Sequence, residues 1–306
     1  MNKVSNTKIY KDLNAFLFCY TTKIPVSIYS KSIALVCLFN IYLIKDDIFE
    51  LYSKNGLISS KLSTGITGKY TPSISDITDL LSVIGMNNSQ SLWIIMSVYI
   101  FSLAMILINY KVFTFAIIAY LGQLIINSSS YLASHGGDSL TTFVLFLNVL
   151  FCTKTILQKK YFEVLFSFTL RLTQIHLCII YFFSGFGKLL GTDWFNGEAV
   201  WTVFNVYSPQ LLKYVINYNI FFIFSGLLIV ATEVLFPLMV YTKKPYKSLI
   251  ILFALIMHTF IGIYMQLQTF ALIMILLNFI AWLNYFIPLN YVNKPKITPE
   301  IKYHSH

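Results

Sequence analysis

The chain has 306 residues, 57% hydrophobic, 17% aromatic and only 11% charged, with a formal net charge of +10 and a mean hydropathy of +0.70. So few charges cannot cover the exterior of a soluble domain of this size, and so much apolar surface has no place inside one. These values exclude a soluble fold and predict an all-α, polytopic transmembrane helical bundle with about eight spans. The positive balance is then a question of which loops carry the lysines, not a nucleic-acid footprint.

Residues 1–30 hold Lys3, Lys8, Lys11 and Lys23. They read as an N-terminal cytoplasmic or interfacial segment, with an amphipathic helix on the membrane surface around 10–30. No apolar run followed by a small-residue cleavage site opens the chain, so no removable signal peptide is expected and the first span acts as the insertion signal. That span covers about 31–44, with room to extend backward toward Pro25. Residues 45–90 are polar, and the weak helical period from Ile74 to Met86 predicts a short helix on the membrane face. Spans follow at 91–110, 112–132 and 140–157. Between the second and third of these lies the polar turn Ser134-His135-Gly136-Gly137-Asp138-Ser139. A long helix is expected over 163–190, a polar re-entry segment over 191–218, and spans at 219–241, 248–265 and 270–287. Residues 288–306 form a polar cytoplasmic tail, and 31–287 make one transmembrane domain.

Counting lysine and arginine orients this layout. With both termini inside, the cytoplasmic segments hold fifteen basic residues and the outer segments five, with Arg171 and Lys188 inside the long helix. Positive residues favour the cytoplasmic side. The turn with His135 and Asp138 and the helix end with Lys188 then face the same, outer side. The four cysteines form no closely spaced pair and read as small buried hydrophobes. No metal cluster or phosphate loop is visible; Gly-Phe-Gly-Lys lacks the required spacing.

The densest chemistry runs from Gln174 to Trp201. A hydrophobic helix ends there in a glycine-rich turn with Lys188 inside the apolar run, followed by Asp193, Trp194 and Glu198. Four of the thirteen glycines (Gly185, Gly187, Gly191, Gly197) fall in this stretch. Glycine permits bends and close backbone approach. A lysine at the edge of lipid is expensive unless it has a use, which includes snorkelling to the interface. Arg171, His176 and Glu233 lie deeper, and an Arg171–Glu233 ion pair is the simplest expectation for two of them. Glu198 is a candidate partner for Lys188. Asp193 is a candidate cap for the segment after Gly191, and Trp194 a candidate interfacial anchor. His258 is placed near mid-membrane.

The pattern Gln174-x-His176…Tyr181-Phe182-x-Ser184-Gly185-x-x-Lys188-Leu189…Asp193-Trp194-x-x-Gly197-Glu198-Ala199 resembles the signature of the HTTM (horizontally transferred transmembrane) family, which includes the vitamin K-dependent gamma-carboxylases. It also resembles the bacterial sporulation-delaying protein B group, whose members take part in maturing a secreted peptide toxin. Gly136-Gly137-Asp138-Ser139-Leu140 also resembles that group, and Glu233…Phe236-Pro237…His258 resembles another recurring feature of the HTTM family. The resemblance implies a bacterial inner-membrane protein. It assigns Lys188 the role of the base that deprotonates a reduced quinone, and His135 a supporting role. It suggests substrate or cofactor contacts from Gly136, Gly137, Asp138, Tyr181, Gly185, Asp193, Trp194, Glu198 and His258. Two departures matter. The family's histidine precedes a Tyr-Leu pair, whereas His135 follows Tyr131-Leu132. The carboxylases also carry a large soluble region after the membrane part, whereas this chain runs about twenty residues past its last predicted helix. In form it is closer to the sporulation-delaying protein B type. That type implies a small secreted peptide precursor and a partner maturation protein, and leaves open a component of a maturation or export system without catalysis.

Overall fold

The computed structural model describes residues 8–19, 26–53, 72–129, 136–217 and 219–282. Thirteen α-helices run through them, and no strand is found among the described residues. In chain order they are α1 (Lys8–Phe18), α2 (Val26–Leu43), α3 (Ile48–Tyr52), α4 (Ile74–Ser82), α5 (Asn88–Leu107), α6 (Val112–Ser129), α7 (Gly136–Cys152), α8 (Lys159–Leu189), α9 (Glu198–Tyr207), α10 (Pro209–Val215), α11 (Asn219–Met239), α12 (Lys244–Tyr264) and α13 (Gln268–Trp282). Seven of them (α2, α5, α6, α7, α8, α11 and α12) are long and apolar enough to cross a membrane. With the 15-residue α13 as a shorter apolar helix, the predicted polytopic bundle is observed.

The local signals are legible. Asn87 and Gln90 cap the start of α5 reciprocally, and Ser73 and Asp76 do the same for α4, so the first orphan amides of both helices are satisfied. Pro245 falls in the first turn of α12 and Pro209 begins α10, where a missing N–H is no loss. Outward-facing Trp93, Val98, Phe101, Phe183 and Ile256 are all exposed, as lipid contact requires and a soluble exterior of this size does not tolerate.

Several boundaries move. The first span begins at Val26, not 31, and buries Tyr29, Ile33, Ala34 and Cys37. The amphipathic segment is α1 alone, ending at Phe18. The polar re-entry segment contains two short helices, α9 and α10, whose buried Val200, Phe204 and Leu212 pack with Phe222 of α11 in a cluster separate from the main core. The last span is expected to reach 287; its part beyond Trp282, like the tail, lies outside the described residues.

The α8–α11 pairing is the most extensive among the described helices. Its closeness rests on Gly185, where a Cβ would stand 2.8 Å from the Glu233 Cβ and from the Val234 amide nitrogen. The N-terminal half of α11 therefore runs on past the end of α8 and supports the loop that follows it. Gly226 lies so tightly under the Trp194 carbonyl that no side chain fits there. Gly197, at φ +84°, packs on the Phe222–Ile223 backbone, with Ile223 N 2.7 Å from where a Cβ would be. The positive φ and the contact both require glycine. These two contacts fold residues 190–197 back over α11 and fix Trp194 above the end of α8.

Candidate functional site

Tyr181, Ser184, Gly185 and Lys188 recur at intervals of three, four and seven, so a helix puts them on one face of α8. That face meets Glu233 and Phe236 of α11 and His258 of α12, and Tyr181, Ser184 and Lys188 with Thr232, Glu233 and His258 wall a cavity of about 560 Å³. Its remaining lining is mainly apolar and aromatic, from α9, α11, α12 and α13. A largely apolar pocket of a few hundred Å³ with few convergent polar groups is the usual form of a small-molecule site.

Two polar clusters interrupt the apolar wall. In the first, Lys188 Nζ donates to Glu233 Oε2 at 2.7 Å and to Ser184 Oγ at 2.7 Å, while Ser184 Oγ donates to Glu233 Oε1 at 3.1 Å. The same ammonium stands 5.1 Å from the centroid of the Trp194 ring, a cation–π contact. The side chains are 20% and 7% exposed for Lys188 and Glu233. Pro237 lies one turn beyond Glu233 inside α11 and has no N–H to return to the Glu233 carbonyl, which loosens the helix at this level.

In the second cluster, the Tyr181 hydroxyl receives the Asn278 Nδ2 hydrogen at 2.7 Å and pairs with His258 Nε2 at 2.9 Å. The direction of this bond follows the histidine tautomer: a phenol that donates to His258 Nε2 requires the imidazole proton on Nδ1. His258 is 2% exposed, and its Nδ1 and the Asn278 Oδ1 make no hydrogen bond within the protein among the described residues. Buried polar atoms of this kind are normally satisfied. Tyr181 and Ser184 are three residues apart, so the two clusters lie about 4.5 Å apart along the α8 axis.

The sequence-derived candidates divide accordingly. Lys188, Tyr181, Trp194 and His258 line the cavity. Gly185 does not line it but allows the helix approach that forms it. Asp193 is exposed; its carboxylate accepts from the Thr192 hydroxyl and its carbonyl from the Ala199 amide. Glu198 does not pair with Lys188. Its carboxylate accepts from Asn196 Nδ2 at 3.2 Å, beside the first turn of α9, because the Gly197 turn directs it to the surface. Gly136, Gly137 and Asp138 begin α7 and are not among the cavity's lining residues. His135 lies outside the described residues.

The Arg171–Glu233 pair is not formed. Arg171 Nε donates to the Phe16 carbonyl and Nη1 to Gln174 Oε1, while Glu233 is held by Lys188 and Ser184. The reason is one of level: Gly185 packs at Glu233, and Arg171 lies fourteen residues earlier on α8, about 21 Å away along its axis. His176 stacks on Phe143 of α7 at 3.8 Å between centroids, away from the cavity. Ser184 and Asn278 were not singled out from sequence for a role. Ser184 precedes Lys188 by one helical turn, and Asn278 is a polar residue in an apolar run, the signals that would have marked them.

Comparison with protein-family models, with curated proteins and with solved structures gives no match.

Proposed function

We propose that the protein is a multi-pass bacterial membrane enzyme of the HTTM type that binds a reduced quinone or a similar lipid-soluble ring in the cavity between α8, α11 and α12. The observation that carries this reading is the buried Lys188–Glu233 pair set in the wall of an otherwise apolar cavity of about 560 Å³. The residues present suit such a group: aromatic walls for the ring, and the orphaned His258 Nδ1 and Asn278 Oδ1 for its oxygen functions. A reduced quinone, when bound, supplies a weakly acidic hydroxyl and reducing equivalents.

The protein's part is to hold and move a proton. The Lys188 ammonium is engaged by Glu233, Ser184 and the Trp194 ring and as an ammonium has no lone pair, so the lone pairs able to receive a proton reside on the Glu233 carboxylate. Glu233 is thus the acceptor, and Lys188 keeps a positive charge where negative charge develops. Ser184 orients both. This modifies the simplest expectation, in which Lys188 alone is the base. The surplus of lysines on the segments joined to both termini supports a cytoplasmic location for those termini and an outer location for the Lys188 end of α8. A secreted peptide precursor is the substrate class that the sporulation-delaying protein B resemblance suggests, and a small partner maturation protein the associated component.

The test is binding and turnover of a naphthoquinol by the purified full chain in detergent, read from quenching of Trp194 fluorescence beside a Trp194→Phe control. Saturable quenching that His258→Ala weakens supports the reading. Absence of saturable quenching in a folded sample would leave Lys188–Glu233 as a lock between α8 and α11, as expected of a non-catalytic maturation component.

A further inference from the structure

A second concavity lies on the outer face of the α8–α11 seam, on the side of α8 away from the polar cavity. Ile175, Cys178, Ile179 and Phe182 of α8 face Pro237 and Tyr241, leaving an apolar groove of about 280 Å³. The α8 residues are spaced as one helix stripe, and the same stripe continues one turn down to Arg171. Arg171 thus stands at the end of the groove. Its guanidinium carbon lies 4.6 Å from the Phe16 ring centroid, and that ring lies 6.3 Å from the Tyr241 ring that walls the groove. The carboxy-terminal turn of α1 therefore forms the groove's lower lip, and Phe18 stacks on Phe168 beside it.

The charge at this lip has no counter-ion among the described residues. Arg171 Nε donates to a backbone carbonyl and Nη1 to an amide oxygen, both neutral, and Nη2 makes no hydrogen bond among the described residues. The Lys247 ammonium on α12 lies within electrostatic range of the same guanidinium, and Lys243 and Lys244 are exposed at the start of that helix. On its outward side, α1 presents exposed Ile9 and Leu13 with Lys8 and Lys11 flanking them, the pattern of a helix lying in the headgroup layer. An arginine at that level, next to an apolar slot running toward the bilayer interior, matches one kind of ligand. We propose that the groove and Arg171 bind an acidic phospholipid of the leaflet in which α1 lies, with one acyl chain along the groove and the phosphate at the Nη2 edge of Arg171. Basic pockets between membrane helices recognise anionic headgroups in this way, and arginine is suited to phosphate by its planar donor edge. The site is independent of the quinone reading, since it shares no lining residue with the polar cavity.

The test uses the full chain in a neutral detergent, delipidated and then titrated with phosphatidylglycerol, with phosphatidylcholine of identical chains, or with inorganic phosphate. Retention is read by native mass spectrometry and stabilisation by thermal melting. Phosphatidylglycerol should bind about tenfold more tightly than phosphatidylcholine and raise the melting temperature. Cys178→Trp, which fills the groove without touching Arg171, should weaken it at least about fivefold. Arg171→Gln should erase the preference for the acidic lipid, and Arg171→Lys, which keeps the charge should α1 detach in the glutamine variant, should retain part of it. Equal binding of the two lipids by the native chain overturns the proposal. So does unchanged affinity in Cys178→Trp, or equal stabilisation by inorganic phosphate, which would reduce the site to a plain anion pocket.

Discussion

Lys188 and Glu233, 45 positions apart in the chain, are joined by a 2.7 Å hydrogen-bonded ion pair that Ser184 bridges from one turn earlier on α8. The pair ties the end of the longest described helix to the C-terminal half of α11 and is also the most polar point of the cavity wall. Both roles follow from one contact, so tests must separate them.

The first prediction separates them through charge. Under the proposed function, Glu233→Gln should lower turnover at least about a hundredfold, the scale of a general base. Lys188→Arg should keep a tenth or more of it, because arginine preserves the charge but cannot give up its proton. Turnover and detergent-solubilised monomer yield are measured side by side. Full loss in Lys188→Arg with survival in Glu233→Gln would return the role of base to the lysine.

Stability should respond to the same pair in a different pattern. Lys188→Ala or Glu233→Ala alone strands a poorly solvated charge and should cost about 3–5 kcal/mol. The joint change Lys188→Met with Glu233→Leu should recover most of that while remaining inactive. Thermal melting in detergent gives the comparison; a double variant as unstable as the singles would contradict the ion-pair account.

Gly185→Ala is expected to act on geometry alone. The new methyl meets the Glu233 Cβ and the Val234 backbone at 2.8 Å, and the backbone cannot rotate away. Overpacking of this sort costs about 1–3 kcal/mol. Gly187→Ala, where nothing lies within 4 Å, should be neutral or slightly stabilising. Equal melting temperatures for the two variants would show that α8 and α11 separate freely.

Arg171 and Glu233 should be energetically independent. They share no partner and lie at levels of α8 and α11 about 21 Å apart along the helix axis. A double-mutant cycle of Arg171→Gln and Glu233→Gln should therefore be additive to within about 0.5 kcal/mol. A coupling above about 1 kcal/mol would indicate that the two charges communicate.

Membrane orientation is tested by labelling. In a cysteine-free background, cysteines at the exposed positions 136 and 266 should react with an impermeant maleimide in intact cells. One at the exposed position 245, next to the Lys243–Lys244 turn, should react only after permeabilisation. The reverse pattern would place the Lys188 end of α8 in the cytoplasm.

How far the residues themselves foretold this arrangement differs from feature to feature. Apolar runs punctuated by lysines determined the helices, because an unpaired backbone cannot cross a membrane and every span must satisfy its own hydrogen bonds. The spacing of Tyr181, Ser184 and Lys188 determined that they share a face of α8, since helical periodicity is local. The partner of Lys188 was not local. Glu233 lay in view as an intramembrane carboxylate, but two basic residues on α8, Arg171 and Lys188, were both available to it. The choice was made by the axial level at which α8 and α11 pack, and that level is set by the close approach at Gly185. In the same way Glu198, ten residues from Lys188, was turned to the surface, while Trp194 was brought over the ammonium because the residues around Gly197 and Gly226 fold the loop back onto α11. His258, Tyr181 and Asn278 come from three helices, and only their packing creates a hydrogen-bonded chain with orphaned ends in one cavity. Sequence determines which side chains a helix presents together; the depth and rotation at which helices meet depend on contacts between surfaces far apart in the chain, and these decided the site.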